Sequence, residues 1–326
     1  MNRKLTVTIG IIISVVFLYF SVRNIDFAQV RQAFATANYF WAIPTGALII
    51  FTMWIRALRW YYLLSGIKKI GRSSLFSSVM IGFMANNVLP VRLGEIVRAF
   101  SIAQKEGISR SGSFATILVE RIFDSFAILF ILATCLILFP FPPAIKRVGY
   151  MTFAANIVAS IILFSLSRWP VETQNFISKI TGILPVKVHS FVMRLLARFM
   201  EGLSIFNEGR NTLIVILFTA ALWITTALSN FFIFFAFDIY PPFIAPFVVL
   251  VVVALAVMLP SSPGFIGTFQ YGCTIALALF SIPKEIAFPF SIVLWSSQYF
   301  PVTLLGLYYL RKESFSLKIA RDEDLV

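Results

Sequence analysis

Six apolar runs, at residues 5–20, 41–64, 111–139, 148–166, 212–237 and 286–310, restrict the fold of this chain more than any other feature. A helix needs about 20 mostly apolar residues to cross a bilayer. Within lipid, every backbone polar group must find a partner inside the protein. The expected fold is therefore all-α: a polytopic integral membrane protein with about six spanning helices and a single transmembrane domain over residues 1–326. Composition agrees, because only 13% of residues are charged and mean hydropathy is +0.90, against about 25% charged residues in a soluble domain. The spans leave no room for a large soluble domain. The first run follows Met-Asn-Arg-Lys but lacks a small-residue cleavage site, so it reads as a span and not a signal peptide.

Two further apolar segments are too short to cross, and each runs into helix breakers. The first motif, residues 75–98, ends in Asn86, Asn87, Pro90, Arg92, Gly94, Glu95 and Arg98. The second, residues 247–280, contains Pro260, Ser262, Pro263, Gly264, Gly267 and Gln270. Both carry an apolar pair, a proline and a downstream glycine, the pattern expected of an inverted repeat of re-entrant segments. Polar groups at such breaks are the best sequence pointer to a transporter's binding site. Capping of the broken helix is an equal reading for Asn86 and Asn87, and a tight turn is an equal reading for the second-motif glycines and serines.

Net charge is +13, which in a membrane protein calls first for a topology count. With a cytoplasmic N-terminus and both broken segments returning to their own side, 21 of the 27 Lys and Arg residues fall inside and five outside. Arg121 alone lies within a span. This asymmetry is what the positive-inside rule requires, and it absorbs the basic charge without a nucleic-acid partner. Both termini are then cytoplasmic. In this scheme Arg56 and Arg59 snorkel from the inner end of the second span, and residues 167–211 form amphipathic surface helices broken at Gly182 and Pro185.

Glu120, Arg121 and Asp124 form a third constellation, with Glu120 and Asp124 four apart on one helical face. Inserting three unpaired charges costs roughly 9 kcal/mol at about 3 each. The ten large apolar residues from Phe126 to Phe139 return only about 5 kcal/mol. The cluster must therefore face protein partners, an aqueous cavity or the interface, and Arg92, Glu95 and Arg98 are the expected partners. Arg92, Arg98 or Arg121 could clamp a lipid phosphate with Glu95, Glu120 and Asp124 holding them. The competing reading is an ion-pair network that only locks the spans together. Cys135, Cys273 and the single histidine, His189, show no metal-ligand spacing, so no metal or cofactor is expected. His189 reads as a solvated surface residue. No GxxxxGK[ST] loop occurs, which argues against direct ATP hydrolysis.

These motifs resemble the flippase-like transmembrane domain found N-terminal to lysylphosphatidylglycerol synthases. The resemblance rests on Asn87-x-x-Pro90-x-Arg92-x-Gly94-Glu95-x-x-Arg98, on Ala115-Thr116 with Glu120-Arg121-x-x-Asp124, and on Leu259-Pro260-x-x-Pro263-Gly264-x-x-Gly267. It implies a multi-pass protein of a prokaryotic cytoplasmic membrane that handles lipid. In bifunctional relatives the domain moves aminoacylated phosphatidylglycerol between leaflets. Many members carry an acid where this chain has Gln270, so an acidic role does not transfer there. A chain ending at Val326 without a synthase domain is not expected to make that lipid. The expected function is transport of an anionic or polyprenyl-linked lipid, with a partner synthase or envelope enzyme possible. The alternatives are a membrane-embedded transferase or hydrolase of lipid phosphates, using Glu120 or Asp124 as base or to hold a divalent metal, and a non-catalytic envelope assembly factor.

Overall fold

The computed structural model describes residues 3–89, 93–141, 169–203, 209–259 and 261–313, with scattered positions between 143 and 161. The described residues are almost entirely helical and contain no strand. Four helices are long and apolar enough to cross a membrane: α3 (Ala42–Leu64, preceded by a 3-10 turn at Tyr39–Trp41), α6 (Arg110–Leu138), α9 (Gly209–Ala236) and α12 (Lys284–Lys312). A fifth candidate is the bent pair of α1 (Arg3–Val22) and α2 (Phe27–Thr36), whose axes turn by 88°. The expected span at residues 148–166 lies mostly outside the described residues. Helices α3 and α9 stand antiparallel. Thr45 donates to the Ser229 carbonyl near one end of α3 and α9, and Tyr62 meets Phe218 near the other.

Local signals place the boundaries. Asp26 accepts from the Ala28 amide to start α2, and Ser109 accepts from the Gly112 amide to start α6. Gly107 takes the left-handed conformation that ends α5 (Gly94–Glu106). The amphipathic stretch folds as α7 (Pro170–Thr181) and α8 (Val186–Leu203), interrupted at the expected glycine and proline. His189 departs from expectation, because it is half-buried and its Nδ1 lies 2.8 Å from Thr181 Oγ1, joining the two helices.

Both broken segments fold as helical hairpins. In the first, α4 (Arg72–Val88) and α5 run antiparallel at backbone contact: a Cβ on Gly94 would lie 2.1 Å from the Gly82 carbonyl oxygen. Ser78 and Ser101 meet lower down the same pair, at 3.1 Å. In the second, α10 (Ala245–Val257) and α11 (Thr268–Ala278) close against each other where Gly272 abuts Val252, Val253 and Ala256.

Helix α12 serves as a ruler for both. Near its C-terminal end Tyr309 packs on Phe76, Gly306 admits Met80 and Met84, and Thr303 accepts from Asn87 at the hairpin tip. Four residues earlier Tyr299 touches Gly264, and Trp295 donates to the Gly264 carbonyl at 2.7 Å. Phe290, nearer the N-terminal end, packs on Phe234 and Phe237 beside the second hairpin. The hairpins thus approach from opposite ends of a 29-residue helix, about 43 Å long at 1.5 Å per residue. Their tips meet at its middle.

Candidate functional site

Below the first hairpin tip lies a buried network of ions. Glu120 is fully buried and receives a bidentate pair from Arg98, with Nη1 and Nη2 at 3.0 and 2.9 Å from its two oxygens. Arg59, also fully buried, sits 3.0 Å from Glu120 and donates to Asp124 at 2.7 and 3.3 Å. Arg121 approaches Glu95 at 3.1 Å, without the alignment of a hydrogen bond, and Asp124 at 3.4 Å. Arg56 lies 3.5 Å from Asp124 and 3.7 Å from Glu120. Neutral groups complete the shell. Thr219 accepts from Arg59 at 2.9 Å, Trp223 donates to Asp124 at 3.1 Å, and the Arg98 guanidinium stacks 3.9 Å over the Trp60 ring. Trp60 is itself held by Thr116.

Each element contributes by its own geometry. On α6, Glu120, Arg121 and Asp124 span little more than one turn and face α3 and α5 together. On α5, the close approach of Gly82 to Gly94 and Arg98 draws the hairpin tight, so that Arg98 can reach Glu120. Arg56 and Arg59 are three apart on α3. Counted along the axes, Arg56 and Arg59 lie roughly 8–12 Å from the C-terminal end of α3, and Glu120 to Asp124 roughly 15–21 Å from the N-terminal end of α6 beside it. That depth is within a hydrocarbon core, where unpaired charge is costly.

The expectation for Arg56 and Arg59 is therefore corrected. They do not snorkel to the interface; they point into the bundle and pair with the α6 carboxylates. Their position eight and five residues from the end of α3 made either course available. The structure does bring together Glu95, Arg98, Glu120, Arg121 and Asp124. Arg92 and Pro260 lie outside the described residues.

The remaining expected residues sit at the hairpin tips. Asn86 Oδ1 accepts from the Gly94 amide at 2.8 Å and closes the first turn, while Asn87 donates to Thr303. In the second motif Pro263 opens a 3-10 turn, and Gly264 and Gly267 take positive φ of 72° and 91°. Ser262 receives its contact from α1, its amide donating to Ser14 Oγ at 2.7 Å. A Cβ on Gly267 would lie 2.2 Å from the Ser14 carbonyl oxygen. Gln270 is buried and accepts from the Gly267 amide at 2.7 Å, capping α11. These residues shape a turn wedged between α1 and α12 and take no part in the charged network.

A second feature escaped the sequence altogether. An open cleft of about 750 Å³ runs between α6, α9 and the start of α10. Its walls are Phe123, Phe126, Ala127, Phe130, Ile131, Thr134, Cys135 and Leu138 from α6, Ile216, Thr219, Ala220, Trp223 and Ile224 from α9, and Phe243, Ile244 and Phe247. Along α6 it extends from residue 123 to 138, about 22 Å. Thr219 and Trp223 belong both to the cleft and to the ion network. The polar atoms of the wall are already engaged, since Thr134 donates to the Phe130 carbonyl and Thr219 to the Val215 carbonyl. The cleft therefore offers an apolar channel that ends on charge. Among the described residues, no group of three His, Cys, Asp or Glu side chains is placed to hold a metal ion.

Comparison with known proteins places this chain in a family. A UPF0104 membrane protein of Methanocaldococcus jannaschii is 22% identical over 319 residues, covering 92% of each chain. A UPF0104 membrane protein of Methanothermobacter thermautotrophicus is 23% identical over 272 residues, or 79% of this chain and 80% of its own. The glycosyltransferase AglD of Haloferax volcanii is 27% identical over 126 residues, which is 38% of this chain and 20% of that protein. No solved structure matches. The family described as the lysylphosphatidylglycerol synthase TM region matches residues 7–306. This multi-pass membrane protein belongs to the lysylphosphatidylglycerol synthase transmembrane family.

Proposed function

We propose that the protein moves or presents a membrane lipid, with the head group at the arginine–carboxylate network and a hydrocarbon chain in the α6–α9–α10 cleft. The observation that carries this reading is the continuity of the two. A 22 Å apolar channel that ends beside buried guanidinium groups has the polarity and proportions of an amphiphile. A purely structural ion-pair network needs no such channel.

In this reading the protein resides in the cytoplasmic membrane with both termini inside. Taking the buried Arg56, Arg59 and Arg98 out of the 21 inside charges leaves 18 against five, so the positive-inside asymmetry persists. The head-group end then lies nearer the cytoplasmic face. The partners are membrane lipids, together with whatever synthase or envelope enzyme supplies or consumes them.

The test is reconstitution into liposomes carrying labelled phosphatidylglycerol and, separately, labelled phosphatidylcholine. Wild type is compared with Ala127→Trp, which places a large ring in the cleft one turn along α6 from Asp124. The expected result is protein-dependent movement of the anionic lipid that falls at least tenfold in Ala127→Trp. Equal movement by the two proteins would remove the cleft from the mechanism.

A further inference from the structure

Charge balance in the network narrows the head group. Arg56, Arg59, Arg98 and Arg121 face Glu95, Glu120 and Asp124, which leaves one positive charge uncompensated among the described residues. The half-buried Arg121–Glu95 pair is neutral, so the surplus belongs to the fully enclosed set of three arginines and two carboxylates.

It can be assigned further. Arg59, Arg98 and Arg121 each have a carboxylate oxygen within 3.1 Å, whereas the nearest to Arg56 is at 3.5 Å. Arg56 is only 7% exposed; its hydrogen bond to the network is a long one, Nη1 to Asp124 at 3.5 Å, and its Nε is unpartnered, as are those of Arg59, Arg98 and Arg121. Its guanidinium lies 4.9 Å from the Phe83 ring and 5.9 Å from Trp223, the residue that walls the head end of the cleft. A buried guanidinium with unmet donors costs free energy until an anion satisfies it.

Resting on the lipid-handling reading above, we propose that Arg56 is the head-group ligand and that the site takes a lipid with one negative charge, carried by a phosphodiester. One such charge neutralises the surplus, and its two free oxygens accept from a guanidinium fork. A phosphomonoester or pyrophosphate brings excess negative charge to Glu120 and Asp124. A lysylated phosphatidylglycerol, net cationic, adds a positive charge where one is already in surplus. This chain therefore selects the unmodified anionic diester over the lysylated form.

The experiment is titration of the purified full chain in detergent, followed by native mass spectrometry. The probes are dioleoyl phosphatidylglycerol, lysyl-phosphatidylglycerol, phosphatidic acid and phosphatidylcholine, with soluble glycerophosphoglycerol as competitor. Wild type is expected to bind phosphatidylglycerol at least tenfold more tightly than the other three lipids. The soluble diester should compete only weakly, since it lacks the chain that fills the cleft; competition as strong as the lipid's would overturn the cleft's share in binding. In Arg56→Gln that preference should collapse while the ligand-free melting temperature stays level or rises; Arg56→Lys should restore part of the preference.

The failures separate. Absence of binding by any lipid would overturn the lipid-handling reading itself. Wild-type preference for phosphatidylglycerol that persists in Arg56→Gln would overturn only the role of Arg56. Tighter binding of lysyl-phosphatidylglycerol or phosphatidic acid by wild type would overturn the charge argument. A variant that does not fold would assign Arg56 to the structure and overturn its role as ligand.

Discussion

The two helical hairpins have the same architecture and opposite contents. Each is a pair of short antiparallel helices pressed together at glycine, and each has its second helix capped by a side-chain amide, Asn86 on Gly94 and Gln270 on Gly267. The first carries Glu95 and Arg98 and packs them against the carboxylates and arginine of α6. The buried face of the second is mainly valine, alanine and small polar residues, and its turn is gripped by Ser14 of α1 and Trp295 of α12. A helical hairpin is thus a geometric solution that leaves its chemistry open. One hairpin walls the charged network, and the other packs its turn between α1 and α12.

The comparison breaks most readily at Glu120. Glu120→Leu strips Arg98 and Arg59 of a buried partner, which costs about 3–5 kcal/mol. The expected outcome is loss of the folded form in detergent, read by thermal unfolding or size-exclusion chromatography. Survival of a well-folded variant would mean the arginines are satisfied without it.

Glycine contacts come next. Gly267→Ala combines a positive φ with overlap against the Ser14 backbone, and about 3 kcal/mol of destabilisation is expected. Gly94→Ala, pressed on Gly82, should cost about 2–3 kcal/mol. The two should differ in kind. Gly94→Ala shifts Arg98 and alters lipid preference, whereas Gly267→Ala lowers stability and leaves the preference of the remaining folded protein intact.

The amide caps are the smallest effects. Asn86→Ala and Gln270→Ala should each cost about 1 kcal/mol, measured by denaturant unfolding in detergent. A much larger loss at Gln270 would give that side chain a task beyond its cap.

Much of the site was legible because intramembrane charge is rare and expensive. Glu120 and Asp124 at helical spacing demanded partners, and Arg98 and Glu95 were the charges available across the first break. Arg56 and Arg59 were misread for a definable reason. Near a span end, a long basic side chain can reach water or turn inward, and only the packing of α3 against α6 decides between them. The cleft left no mark, because its walls are mainly phenylalanine, isoleucine and alanine, drawn from apolar stretches of three helices that carry no pattern of their own. Hairpin positions were readable from proline and glycine. The meeting of the two tips on α12 was not, since it depends on long-range contacts such as Asn87–Thr303 and Gly264–Trp295.

The central claim, that the cleft is a lipid site, is tested most directly by photocrosslinking from inside it. A benzophenone amino acid replaces Phe130 on the cleft wall, and the protein is irradiated in native-lipid nanodiscs before mass analysis. The account predicts an adduct of protein with a phospholipid acyl chain, lost when Ala127→Trp is added. Crosslinks exclusively to the protein's own chain, unchanged by Ala127→Trp, would contradict it.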